Sequence, residues 1–396
     1  MPISEKVTEQ IKGGSWIRKM FEEGIRLKKE VGEDNVFDFT LGNPNTEPPE
    51  EFFEALEKVV AEREKGVHVY MQNPGFIETR RRVARDLKKE FGVDFTHEDI
   101  IMTVGAAGAL NVIFKTILDQ DDEVILIAPY FVEYNFYVDN HGGRRVTVGT
   151  NDDFSLNVAA VEEKITKKTR AVLINSPCNP SGRLFSGAGL KELGEMLAGY
   201  QRKFNRAIYI VSDEPYRRLL FDGKRFNTPL HFHDNVLVAT SFSKDLSLAG
   251  ERIGYIAISP NCRYKNEIFD GAAFNNRTLG YINAPAIMQR VIAVIGEYKV
   301  NVEFYRKKRD RLYDALTSYG YKIIKPDGTF YMFPKSPIPD DIAFIRMLQA
   351  RHVLTSPGSG FSCPGYFRIS YCTSDEAIER ALPIFRGVIN SIITGR

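Results

Sequence analysis

The stretch Ser241-Phe242-Ser243-Lys244, followed by Gly250, Arg252, Gly254 and Tyr255, decides how the chain reads. The β-branched run Val236–Ser241 predicts a strand that ends at Ser241 and delivers Lys244 into the loop beyond it. In an open α/β sheet, ligands gather at the carboxyl ends of the strands. A lysine held there beside Arg252 has its ammonium form disfavoured. The neutral amine is then free to form a Schiff base. Arg252 offers several donors for a phosphate, and the Ser241 hydroxyl can join them. The plainer reading of the same residues is a surface loop whose Lys and Arg point to water.

Outward from this stretch, short apolar runs alternate with helical patterns. Residues 100–104, 124–128, 170–175, 207–212, Val236–Ser241 and 255–258 read as strands, with amphipathic stretches at 107–118 and 190–204. This alternation predicts an α/β fold, with a large domain built on a mainly parallel sheet covered by helices. A charged helical stretch at 15–31 and a Pro-rich turn at 43–49 come before it. A long charged helix over 296–318 follows, then strands at 321–325 and Phe367–Ser370. The two ends are expected to combine into a smaller α+β domain. The expected division is 46–304 for the large domain, with 1–45 and 305–396 for the small one. No internal repeat, low-complexity tract or linker stands out.

Four further segments carry chemistry. Asp213-Glu214-Pro215-Tyr216 closes a predicted strand. A carboxylate there could accept a proton from a cationic ring nitrogen, and Tyr216 could reach a neighbouring ring substituent. A charged turn is the plainer reading, since Asp and Pro favour turns. Asn175-Ser176-Pro177-Cys178-Asn179-Pro180-Ser181-Gly182 makes a stiff turn that holds the Asn179 amide towards the cleft. Cys178 lacks a visible His–Asp partner set. Val104-Gly105-Ala106-Ala107-Gly108 leads a strand through small residues into a helix, whose unpaired N–H groups suit a phosphate. Its spacing fits neither dinucleotide nor P-loop fingerprints, and a tight helix start would also explain it. Arg368, in Phe367-Arg368-Ile369-Ser370, is costly to bury without an anion. A bidentate carboxylate ligand would satisfy it, as would an internal acid.

Composition sets the frame. The 396 residues are 43% hydrophobic and 26% charged with a net charge of +2, which predicts a globular chain of two or three domains, or of one large domain with a smaller one attached, and no nucleic-acid partner. Cys178, Cys262, Cys363 and Cys372 form no C-x-x-C pair, so a reducing, cytoplasmic setting is expected. The first ten residues hold Glu5, Lys6 and Glu9 and no apolar run, so no secretory leader is expected. No run of about 18 uncharged apolar residues suggests a membrane span. His231-x-His233 lacks further ligands, so no metal is expected. Asp121-Asp122-Glu123 reads as a solvated turn.

Taken together and in this order, the segments resemble the class I/II aminotransferases of fold type I, which depend on pyridoxal 5'-phosphate. The resemblance covers nearly the whole chain, from Gly42 through Tyr70, Gly105–Gly108, Asn179, Asp213, Tyr216, Lys244 and Arg252 to Arg368. It implies that Lys244 forms the Schiff base and moves the proton in a ping-pong transfer from an α-amino acid to a 2-oxo acid. Asp213 would hold the ring nitrogen protonated, with Tyr216 and Asn179 on the ring oxygen. Ser241, Arg252 and the Gly105, Ala106 and Ala107 region would bind the phosphate. Phe131 would stack on the ring. Arg368 would clamp the substrate α-carboxylate, with the Gly42 region closing over it. Tyr70 would reach the phosphate of a neighbouring subunit, which implies a homodimer. Many relatives have Trp in place of Phe131, and a hydroxyl residue or lysine in place of Ala107. Arg277 lies near where some dicarboxylate-specific relatives place an arginine from the partner. A C–S lyase or a decarboxylase on the same scaffold, and more remotely a non-enzymatic ligand sensor, are the alternatives.

Overall fold

The computed structural model describes residues 3–12, 16–63 and 65–395. Its strands are β1 (Phe37–Asp38), β2 (Ile100–Thr103), β3 (Glu123–Ala128), β4 (Arg144–Gly149), β5 (Thr169–Asn175), β6 (Tyr209–Asp213), β7 (Val236–Ser241), β8 (Gly254–Ile258), β9 (Tyr331–Met332), β10 (Val353–Leu354), β11 (Ser356–Pro357) and β12 (Phe367–Ser370). Seven of them form one sheet in the order β2-β8-β7-β6-β5-β3-β4. Within it β8 runs antiparallel to both of its neighbours, while the pairings of β3 to β7 are parallel. Strands β6, β7 and β8 are buried along their whole length, so apolar residues must occupy both faces. Period-two alternation then divides them: Ile210 joins the apolar layer on one face, and Tyr209 and Val211 join the layer on the other.

Local chemistry sets the helix bounds. The helix Gly187–Phe204 starts before residue 190 because the Ser186 hydroxyl accepts from Gly189 N–H, and Asn205 ends it in a left-handed conformation. The helix Val302–Ser318 starts later than residue 296 because its cap is Asn301, which accepts from Phe304 N–H. The helix expected over 15–31 runs Trp16–Val31, residue 15 lying outside the described residues.

The expected strand at 321–325 does not form. Tyr321 N–H turns back to Leu316 O (3.1 Å) and the Tyr321 ring packs on Phe344, Phe367 and Phe385. Pro326 follows directly and offers no N–H to extend a ladder. Strand β4, which the reading missed, sits at the sheet edge and is largely exposed, so its apolar signal is weak. The Asp121-Asp122-Glu123 turn is likewise not simply solvated: Asp122 is buried and held by Arg206.

A second core lies away from the large sheet. It joins Phe37 and Phe39 from the N-terminal part to Tyr305, Phe367 and Phe385 from the C-terminal part. Tyr216, Leu219 and Phe221, from the loop after β6, insert into the same core. That loop therefore ties the second core to the ends of the central strands.

Candidate active site

The β-to-loop junctions after β5, β6 and β7 open on one side of the sheet, together with the start of the helix Gly105–Ile117. Gly42, Ala106, Ala107, Phe131, Asn179, Asp213, Tyr216, Ser241, Lys244, Arg252 and Arg368 all line one cavity of about 460 Å³ there. Gly105 lies behind the wall. Its φ is 79° and an added Cβ would stand 2.8 Å from Arg252 Nη2, so the chain turns under the guanidinium only as glycine. Tyr70 and Arg277 lie outside this cavity on the exposed surface.

Lys244 donates to Gly42 O at 2.7 Å. Gly42 itself is pressed against the Tyr331 hydroxyl, where any Cβ would collide. Burial lowers the Lys244 ammonium to about 8, and Arg252 and Arg368 push the same way. Burial raises the Asp213 carboxyl to about 7, against the pull of a hydrogen bond from the Tyr134 hydroxyl to Oδ2. Its Oδ1 is buried with no partner among the described residues. Asn175 straps this corner, donating to Asp213 O (2.9 Å) and accepting from Asn179 N–H (2.6 Å).

At the other end Arg368 is buried between the rings of Tyr331 (4.5 Å) and Phe361 (4.8 Å). It donates to Asn179 Oδ1 (2.9 Å) and to Thr40 O, and its Nε has no partner among the described residues. No acid pairs with it among the described residues, so the internal ion pair open in the sequence does not form. Tyr216 and Tyr331 hydroxyls lie 3.1 Å apart. Cys178 is buried with Sγ 3.4 Å from Pro129 O, and burial raises its thiol, so it is held as a packing residue. His233 is buried with Nε2 on Ile208 O, and His231 Nε2 meets Phe91 O, so each ring already has a backbone partner.

Sequence reading missed Tyr134, Asn175, Tyr331, Thr40 and Phe361. Tyr134 carried a faint signal, three residues beyond Phe131, whose ring it meets edge-on at 5.7 Å. Tyr331 and Thr40 lie far along the chain from their partners, and spacing gives no cue to them.

This set fits a phosphorylated pyridine aldehyde. It offers an amine, a carboxylate with a free buried oxygen for a ring N–H, and a guanidinium above an unpaired helix start for a phosphate. A second guanidinium with a free N–H suits a carboxylate. Fold and site together define a fold type I enzyme that handles amino acids through pyridoxal phosphate.

The model of the class I and II aminotransferases matches residues 34–385, and the chain belongs to that family. It is 31% identical to a probable aspartate aminotransferase of Methanocaldococcus jannaschii, over 92% of this chain and 96% of that one. It is 32% identical to the aspartate/prephenate aminotransferase of Thermus thermophilus, over 88% and 90%. Its backbone is similar to an amino transferase from Eubacterium rectale (TM-score 0.94, 36% identity, 98% of this chain and 99% of that one). The Thermus thermophilus aspartate aminotransferase solved with maleate gives 0.86, at 29% identity over 96% and 98%. The protein is a pyridoxal-phosphate-dependent aminotransferase, and the lyase or decarboxylase alternative is not favoured. Among the described residues no helix is long and apolar enough to cross a membrane.

Proposed function

We propose that Lys244 is the lysine that joins the cofactor, and that the other cavity residues divide its handling between them. The observation that carries this reading is the meeting of Lys244, Asp213, Arg252 and Arg368 around one cavity, with Asp213 Oδ1 and Arg368 Nε left unpaired. The cofactor, when bound, supplies an aldehyde that condenses with amines and a ring that accepts the electron pair released from the substrate α-carbon. Arg252, Ser241 and the Ala106–Ala107 amides hold the phosphate. Asp213, kept in place by Tyr134 and Asn175, holds the proton at the ring nitrogen. Tyr216 and Asn179 orient the ring oxygen, and Phe131 covers one face. Arg368 would bind the α-carboxylate and so orient the substrate. The freed Lys244 amine, lowered by burial, takes and returns that proton.

The active form in this reading is a cytoplasmic homodimer. Tyr70 is 87% exposed, and its neighbours Gln72 and Asn73 are bonded to Asn283 and Asn276 beside the exposed Phe274 and Ile282. Val7 and Ile11 on the helix Glu5–Lys12, with Ile3 just before it, are exposed apolar side chains. A second copy covering these faces would bring Tyr70 to the phosphate site. All four cysteines are free, in keeping with a reducing compartment. The chain divides functionally at 46 and 304, the second core carrying Arg368 against the large sheet.

The test is an absorbance spectrum of the holoenzyme and of Lys244→Ala. The wild type is expected to show the visible band of cofactor joined to lysine, and a single added amino acid to convert it to the aminated cofactor. Retention of the joined band in Lys244→Ala would overturn the assignment.

A further inference from the structure

The cavity walls hold three cations, Lys244, Arg252 and Arg368, and the proposed function uses each one. Arg368 takes the α-carboxylate, Arg252 the phosphate and Lys244 the aldehyde. Among the described residues no fourth cation lines the cavity to meet a second substrate carboxylate. Ala107 adds only a methyl to the wall. Arg277 lies exposed over the ring of Phe274, at 5.5 Å, and does not line the cavity.

The same wall carries an acid that the catalytic roles do not use. Glu133 lines the cavity with Ala107, Leu110, Phe131 and Tyr137. Among the described residues no hydrogen bond or ion pair engages its carboxylate, and burial alone acts on it, raising its pKa. Tyr137 beside it stays protonated, since burial and Glu133 both push its phenol up. Half-buried and still reached by water, the Glu133 carboxylate is open to a donor arriving with the ligand. Leu41, Leu110 and Phe131 offer apolar surface for a methylene stem leading to such a donor.

We propose that Glu133 reads the side chain of the amino acid, and that this enzyme prefers substrates with a cationic side-chain end, an amine or guanidinium, over dicarboxylates. The proposal deepens the aminotransferase reading and rests on its use of Arg368, Arg252 and Lys244. It departs from the aspartate named for several relatives because, among the described residues, the cavity wall adds an acid and no fourth cation to the three already assigned.

Two measurements on the holoenzyme test it. The first is the rate constant for conversion of the cofactor band by L-lysine, L-arginine, L-leucine, L-aspartate and L-glutamate, with no oxo acid present. L-Lysine or L-arginine is expected to exceed L-aspartate at least about tenfold, and Glu133→Gln to cut the lysine-to-leucine ratio by a similar factor. The second needs no turnover: calorimetric binding of 5-aminopentanoate and of glutarate. The cationic acid is expected to bind about tenfold more tightly, and Glu133→Gln to close the gap. Tighter binding of glutarate, or ratios unmoved by Glu133→Gln, would overturn the proposal. A preference for L-aspartate that disappears in Arg277→Ala would overturn it too, assigning the contact to a second copy. If no amino acid converts the band, the transfer reading fails, and the binding comparison still decides the role of Glu133.

Discussion

At the scale of single residues, burial tunes the site. Lys244 in solution would hold its proton up to 10.5, but burial brings it to about 8 in the folded chain. Capture of pyridoxal phosphate by the apoprotein needs the neutral amine. The capture rate is therefore expected to rise with pH and reach half its maximum near 8, which stopped-flow absorbance would record. A rate flat from pH 6 to 10 would speak against the role. The same shift has a sign in stability. Between about 8 and 10.5 the unfolded chain binds the extra proton, so this group's contribution to stability rises with pH across that window. Asp213 works in the opposite direction, its carboxyl raised to about 7 until a cationic partner arrives. Asp213→Asn is expected to keep the fold and lower the transfer rate at least about a hundredfold, the scale of losing one preorganised electrostatic contact. Near-normal turnover would refute the role. Asp213 and Lys244 were legible because each closes an apolar run with a reactive side chain. Tyr134, which holds Asp213, was not, because a tyrosine in an aromatic stretch reads as core.

At the scale of elements, an ion-pair network joins the two loops that carry the reacting groups. Glu90, on the helix Ile77–Phe91, meets Arg217 at 3.0 Å and Arg218 at 3.0 Å. Arg217 continues to the Tyr255 hydroxyl (2.9 Å). Arg218 donates to the Tyr298 hydroxyl (2.6 Å), which in turn donates to Asp245 (3.2 Å), the neighbour of Lys244. Glu90→Ala removes the acid shared by the two arginines, and Arg217 is buried. Arg217 keeps Glu214 (3.9 Å) and Arg218 keeps Asp245 (3.4 Å) as second acids, so the expected loss is about 2 kcal/mol of stability, the scale of hydrogen bonds between charged groups. Thermal unfolding of the variant would show it, and an unchanged melting temperature would mean the network is slack. The sequence showed only charged residues in turns here, since pairing over such separations leaves no periodic signal. It placed β2, β3, β5, β6, β7 and β8 because their apolar runs are dense. It missed β4 and misread 321–325, where edge exposure and the following Pro326 decided the outcome.

At the scale of the whole molecule, the cavity's residues come from both ends of the chain and its middle, and the two cores meet at the loop after β6. A site proposed to be completed by Tyr70 of a second copy should depend on association. Sedimentation is expected to give a dimer, and activity to fall on dilution as the dimer separates, whereas a fully active monomer would refute that part. The sequence by itself determined the parallel-rich sheet, the strand ends that bear Asp213 and Lys244, and the family, because apolar periodicity and local motif order are properties of neighbouring residues. Only the tertiary structure decided that Arg368 lies between Tyr331 and Phe361, that Tyr134 and Asn175 brace Asp213, and that among the described residues Arg368 meets no acid and Glu133 stands unpaired in the wall. Those facts depend on which distant side chains arrive at one cavity and which are left without a partner when the chain closes, and no local pattern records that.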